Sequence, residues 1–248
     1  MTRTLILYVF HIINSNVIHF CNNNIFEDPN YQFIIICNNL NLNLDILNIP
    51  SYVKIIKRHN IGYDFGGWSD ALFKDNIYRL FDYYVFINSS VIGPFIPKNY
   101  KKQWPTILTD GLNDSIKLYG SMINCGNEWG DVIDISGAHV QSFAFTTDRI
   151  GLNILINSKI FKLKEHSTNF VELIVNNEIR MSREIINNGF NIGCILKIYN
   201  NVDFRNINST TFYEDQMTQD NIKKYTPYEV VFIKTNRHID ENIYKHLL

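Results

Sequence analysis

Along the first half of the chain, short β-branched and aromatic runs alternate with helix-compatible segments. Leu5 to Phe10 is continuously apolar and ends at His11, the pattern of a strand covered on both faces. A mixed segment through Asn24 predicts a helix, and Tyr31 to Cys37 forms a second apolar run that stops at Asn38-Asn39. Val53 to Ile56 is a third run, ending in Lys57-Arg58-His59-Asn60; a Gly-rich turn follows, then a predicted helix from about Trp68 to Leu80. Tyr83 to Ile87 is a fourth strand, closed by Asn88-Ser89-Ser90 and Gly93-Pro94. This alternation predicts an α/β fold with a mostly parallel sheet. In such sheets ligands bind at the carboxyl ends of the strands, which is where all these polar clusters fall.

The second half is less regular. Ile116 to Asn124 and His139 to Thr146 read as two further strands, and Phe170 to Asn188 carries helical spacing up to Gly189, a helix-stop residue. Glu229 to Thr235 reads as a last strand, followed by Asn236-Arg237-His238. No repeat, low-complexity linker or evident boundary divides the 248 residues, so one domain over 1–248 is expected.

Composition narrows the partners. The chain has 23 basic and 24 acidic residues, a net charge of −1, and a pI of about 6.6, which removes the bulk electrostatic case for nucleic-acid or anionic-membrane binding. Cys21, Cys37, Cys125 and Cys194 are scattered without a CxxC pair, so neither a disulfide framework nor a zinc site is expected. The apolar start of the chain lacks a small-residue cleavage site and runs through His11 into Asn14, as a first buried strand does and a signal peptide does not. No run approaches the ~20 apolar residues of a membrane span; a soluble, cytoplasmic protein is expected. About one residue in eight is Asn and about one in seven is Ile, with Ala almost absent, the mark of an A/T-rich coding sequence.

The stretch from Arg58 to Trp68, R-H-N-I-G-Y-D-F-G-G-W, concentrates the candidate chemistry. Glycines allow close backbone approach, and a helix N-terminus offers N–H groups to an anion. Arg58 can reach a phosphate or a base, and Asp64 can accept hydrogen bonds from a sugar. The alternative is structural: Asn60 and Asp64 make the turn, and Gly66-Gly67 lets the helix pack closely. The stretch is neither a Walker loop nor GxGxxG.

Taken with Y-Y-V-F-I-N-S-S-V-x-G-P on the fourth strand, the pattern R-x-N-x-G-x-D-x-G-G resembles the rhamnan-synthesis type of glycosyltransferase and its GT-A-fold relatives. Further fragments follow in order: Tyr119-Gly120, His139-Val140-Gln141-Ser142-Phe143, Glu178 to Ser182 ahead of Gly189-Phe190, and Pro227 to Lys234. The resemblance runs from about Leu5 to Arg237. The composition also resembles proteins of giant DNA viruses of amoebae. The resemblance implies a single GT-A-like (nucleotide-diphospho-sugar transferase) domain with a central, mostly parallel mixed sheet flanked by helices. Residues of about 1–95 would bind a UDP-, GDP- or dTDP-linked sugar donor, and those of about 96–248 a glycan or other hydroxyl acceptor. By the same resemblance Phe10, His11, Asn38, Arg58, Asn60, Gly62, Asp64, Asn88, Ser89 and Ser90 would line the nucleotide-sugar side. Tyr119, Trp129, His139 and Gln141 would face the acceptor.

One departure stands out. Asn88-Ser89-Ser90 occupies the place of Asp-x-Asp, whose carboxylates hold Mn²⁺ or Mg²⁺ against the leaving diphosphate. Neutral oxygens hold a hard cation poorly, so either the metal is bound elsewhere or cationic side chains stabilise the diphosphate. Lys234, Arg237 and His238 are the candidates; the alternative is a solvated basic segment. Glu178 stands where inverting relatives carry the carboxylate base that deprotonates the acceptor, unless it only complements a helix N-terminus. Asp64, Asp134 and Asp148 are reserves. A competing expectation is a non-catalytic nucleotide-sugar- or carbohydrate-binding module that kept the fold.

Overall fold

The computed structural model describes residues 2–124, 138–206 and 216–248. In chain order the elements begin with β1 (Thr4–Phe10), α1 (Ser15–Asn23), β2 (Tyr31–Cys37), β3 (Lys54–Lys57), α2 (Tyr63–Phe73), β4 (Tyr83–Asn88) and β5 (Val91–Ile92). There follow α3 (Thr106–Thr109), β6 (Ile116–Gly120), β7 (Ile123–Asn124), β8 (His139–Val140), β9 (Ala144–Asp148) and α4 (Arg149–Asn157). The last third holds α5 (Phe170–Leu173), a π-helical turn (Ile174–Ile179), α6 (Arg180–Asn187), β10 (Asn191–Cys194), α7 (Gln219–Ile222), α8 (Pro227–Val230) and β11 (Ile233–Lys234).

Seven strands form one sheet in the order β10-β6-β9-β4-β1-β2-β3. β1 pairs in parallel with both β2 and β4, and only β9 runs antiparallel to its two neighbours. The expected α/β fold with a central, mostly parallel mixed sheet flanked by helices is therefore found. All seven residues of β1 are buried, and full burial of each Leu, Ile or Phe contributes about 1.5–3 kcal/mol. α1 begins because the Asn14 carboxamide oxygen accepts from the Val17 N–H at 3.0 Å, a side-chain N-cap.

The structure corrects several expected boundaries. α2 starts at Tyr63, so Gly66 and Gly67 lie within the helix and not in the turn before it. A Cβ on Gly66 would fall 2.1 Å from the Ile61 carbonyl oxygen, and one on Gly67 3.0 Å from Val9 Cγ2. Both glycines therefore serve close helix packing. The helix also ends early, at Phe73, where Asp75 and Asn76 take positive φ in a 3-10 turn. The runs Ile116–Asn124 and His139–Thr146 each split into two strands, because the chain breaks from the main sheet at Ser121-Met122 and Gln141–Phe143, and Ile123–Asn124 pairs with His139–Val140 in a separate two-stranded sheet. β10 was not foreseen: Asn191-Ile192-Gly193-Cys194 is short and carries polar ends. The expected strand Glu229–Thr235 begins instead as the end of α8, with Glu229 and Val230 helical and Val231-Phe232 in a bend. Thr226 and Glu229 form a reciprocal capping box with Pro227 at the first helical position, a start signal that overrides the β-branched run after it. Only Ile233–Lys234 remains extended, antiparallel to β5.

Helix α2 is fastened to the sheet by Trp68. Its ring is fully buried and meets Phe65, Phe86 and Phe145 edge to face at 5.3–5.5 Å. Phe86 in turn stacks on Phe145 at 4.6 Å and on Phe161 at 5.1 Å. Deleting so large a core ring costs about 3–5 kcal/mol. Trp68→Ala is expected to lose that much in urea unfolding, whereas Trp68→Phe, which keeps a ring and removes a buried N–H with no partner among the described residues, is expected to lose far less.

Candidate active site

The loop after β3 is held by Arg58. Its Nε donates to Asp70 Oδ2 at 2.6 Å, Nη1 to Asn38 Oδ1 at 2.9 Å and Nη2 to the Ile61 carbonyl at 2.7 Å. Asn38 passes the restraint on, donating from Nδ2 to the Tyr63 carbonyl at 2.9 Å. These charge-assisted bonds tie the ends of β2 and β3 to the first turns of α2. Arg58 and Asn38 thus spend these groups inside the protein. Gly62, at φ +73°, precedes α2, and a Cβ there would lie 2.7 Å from His166, so only glycine fits. Asn60 is half-buried, and its carboxamide has no protein partner among the described residues. Phe10 is 1% exposed and belongs to the core. His11 beside it is exposed, with Nδ1 2.8 Å from the Asn38 carbonyl oxygen.

Asp64 stands in the first turn of α2 and faces the end of β4. Asn88 Nδ2 donates to Asp64 Oδ2 at 2.8 Å. On its other side Asn88 Oδ1 accepts from Ser90 N at 3.0 Å and from Ser90 Oγ at 2.5 Å. The turn is clasped from two directions. Asn14 and Asn16 donate to the Ser89 carbonyl at 3.3 and 2.9 Å. Thr235 N donates to the Ser90 carbonyl at 2.9 Å, and Asn16 Nδ2 bonds Thr235 Oγ1 at 2.9 Å. The β5–β11 pairing, with Lys234 opposite Val91, brings Lys234 back beside this turn. Its Nζ lies 5.7 Å over the Phe143 ring.

Glu178 reaches the same place from the π-helical turn. Its carboxylate accepts from Ser142 N at 3.3 Å and from Ser142 Oγ at 2.9 Å. Asp64, Glu178 and Ser142 border one small cavity of about 50 Å³, walled by Tyr63, Phe65, Phe170 and Leu173. The remaining expected residues fall elsewhere. His139 and Gln141 are buried, at 7% and 3% exposure, and Gln141 donates its N–H to the Met122 carbonyl at 3.0 Å. Tyr119 lines a different groove beside β10. Arg237 is half-buried and His238 exposed, in the turn after β11. Asp148, a reserve base, caps α4 through Gly151 N at 2.8 Å and pairs with Lys117 at 2.7 Å. Trp129 and Asp134 lie outside the described residues. Sequence reasoning missed Ser142, Asn14, Asn16 and Thr235. Ser142 sat inside a quoted motif; the other three had no local signal.

The Asn88-Ser89-Ser90 turn itself offers amide and hydroxyl oxygens, weaker ligands for a hard divalent cation than the carboxylates of Asp-x-Asp; Asn88 Oδ1 is already engaged by Ser90, and the Asp64 carboxylate beside it is bonded to Asn88 Nδ2. No group of three His, Cys, Asp or Glu side chains converges on a common point among the described residues.

Burial pushes the Asp64 carboxyl up from 3.8 to about 6; the Asn88 hydrogen bond lowers it, nearby Glu178 raises it and Lys234 lowers it. The folded state therefore holds this proton more tightly than the unfolded chain. Its stabilising contribution is complete below about pH 4 and is lost as pH rises through about 6. Asp64→Asn, whose side-chain oxygen can still accept from Asn88, escapes that loss. In thermal melts its Tm is expected to match the parent at pH 4, exceed it progressively to pH 6–7 and stay above it beyond. A constant difference across this range would refute the buried-carboxyl account.

Among solved structures, the glycosyltransferase GlyE of Streptococcus pneumoniae TIGR4 is similar at a TM-score of 0.39 and 12% identity, over 81% of this chain and 47% of that one. The bifunctional glycosyltransferase WbbM is similar at 0.40 and 9% identity, over 98% and 51%. The chain spans about half the length of each of these proteins. No curated protein matches it. Among the described residues no helix is long and apolar enough to cross a membrane. The model of one family, described as Rhamnan synthesis protein F, matches residues 33–246, a span that takes in the Arg58–Asp64 loop, the Asn88 turn, Glu178 and Lys234; the chain belongs to that family.

Proposed function

We propose that the chain is a GT-A-like glycosyltransferase that moves a sugar from a nucleoside-diphosphate donor to a hydroxyl of a glycan acceptor, with inversion and without a divalent cation. The observation that carries this reading is that Asp64 and Glu178 border one cavity at the carboxyl end of a mostly parallel sheet, beside the Asn88 turn to which the β5–β11 pairing returns Lys234.

Residues of about 1–95 hold the donor. Asp64 and Asn60 receive sugar or ribose hydroxyls, while Arg58 and Asn38 act by fixing the loop that carries them. Acceptor groups come from 96–248. Glu178, oriented by Ser142, takes the proton of the acceptor hydroxyl as its oxygen attacks the anomeric carbon. The bond from that carbon to the diphosphate breaks, and the nucleoside diphosphate leaves with the electron pair. Lys234, with Arg237 and His238 on the same segment, offsets its negative charge in place of a metal.

Release of nucleoside diphosphate from UDP-, GDP- and dTDP-sugars, with a glycan acceptor present, tests the reading. Glu178→Gln is expected to slow release about 10²–10⁴-fold while donor binding, read by thermal shift, is kept. Robust turnover by this variant overturns the assignment of the base. Lys234→Ala is expected to lose about 100-fold, and EDTA to change nothing; inhibition by EDTA that Mn²⁺ restores overturns metal independence. The self-bonded Asn88–Ser90 turn also favours a second reading, a binding module without transfer. Donor binding with no turnover under any condition selects it.

A further inference from the structure

We propose that the groove between β6, β10 and the loop after Tyr199 is a binding subsite for a neutral, hydroxyl-rich glycan, distinct from the cavity at Asp64 and Glu178. The groove measures about 240 Å³ and shares no lining residue with that cavity.

Its centre is Tyr119. The ring is wedged between two glycines: a Cβ on Gly111 would fall 2.4–2.5 Å from Cδ1, Cε1 and Cζ, and one on Gly193 2.8–3.1 Å from Cδ2 and Cε2. The backbone thus fixes the ring from both sides, and the residue stays partly exposed in the groove. With Gly111 over one face, the groove meets the part of the ring left exposed and its hydroxyl, a rigid wall with a polar tip that packs on the C–H groups of a sugar and costs little entropy on binding.

The polar lining points the same way. The Tyr119 and Ser115 hydroxyls and the Asn200 and Asn201 carboxamides line the groove and make no hydrogen bond to the protein among the described residues. Together they supply both donors and acceptors, matching hydroxyl groups, which need both. The lining's one cation, Arg205, is committed to Asp203 through Nε and Nη2, each at 2.8 Å. The pair leaves the groove without net charge, so a nucleotide or phosphate finds no free counter-charge. An uncharged sugar does not require one.

The inference rests on the glycosyltransferase reading only in making the glycan an extended acceptor; binding itself is independent of turnover. The test uses saturation-transfer NMR titrations of the full chain with three probes: a rhamnose tetrasaccharide, maltotetraose and cellotetraose. The parent protein is expected to bind at least one probe. Tyr119→Ala is expected to weaken it about tenfold and Asn200→Ala about threefold. Asn200 is exposed, so its variant carries the test even if Tyr119→Ala does not fold, and Tyr119→Phe is expected to keep part of the affinity. No binding of any probe, binding untouched by both the Tyr119 and Asn200 variants, or displacement of the glycan by UDP alone overturns the proposal. Glycan binding without donor turnover leaves the subsite standing and removes only the transferase reading.

Discussion

Complete burial of β1 is the constraint on which the other features depend. A strand with no exposed residue must be covered on both faces and paired along both edges. β2 and β4 supply the edges in parallel, and helices supply the cover. Parallel pairing forces each connection to return over a face of the sheet, so β1, β2, β3 and β4 all release their chain at one end. His11, Asn38, Arg58 and Asn88 meet for that reason. Their proximity is a by-product of sheet geometry before it is anything chemical.

Polar side chains then turn this crowding into a defined shape. Arg58 joins three segments through one guanidinium, and Asn38 extends the network to the start of α2. The Asn88 turn is gripped by α1 on one side and by the Thr235 segment on the other. Few of these groups are spare. What remains on the cavity wall is a carboxyl pushed up by burial and a second carboxylate held by Ser142, with Lys234 over the neighbouring Phe143 ring. The polarity of the site is residual, left over after the loops have satisfied themselves.

The first four strands were legible because each is an apolar run bounded by polar residues, and the first helix because a mixed segment fills the space between two of them. The loop chemistry was legible as residue types but not as partners. Arg58 reads equally well as a ligand contact or as a brace, and only the positions of Asp70 and the Ile61 carbonyl reveal the brace. Gly66 and Gly67 looked like turn residues, yet their reason is the distance to Ile61 and Val9. The errors near the end have a single cause. In Pro-Tyr-Glu-Val-Val-Phe-Ile-Lys the β-branched run dominates the local pattern, while the helix start depends on Thr226 reaching Glu229. Asn88 was flagged for standing where an aspartate was expected; its role as a bridge between Asp64 and Ser90 needed coordinates.

The pairing of β5 with β11 has a temporal consequence. During synthesis the first four strands can assemble once about 90 residues have emerged, and with them the Asp64–Asn88 contact. Glu178 arrives only after as many residues again, and the Ser90 turn remains ungripped until Thr235 is made. A nascent chain is therefore able to form the Asp64–Asn88 contact long before Lys234 is made. The Thr235 grip on the Ser90 turn closes only after β10, the last strand of the seven-stranded sheet to be made, is in the chain.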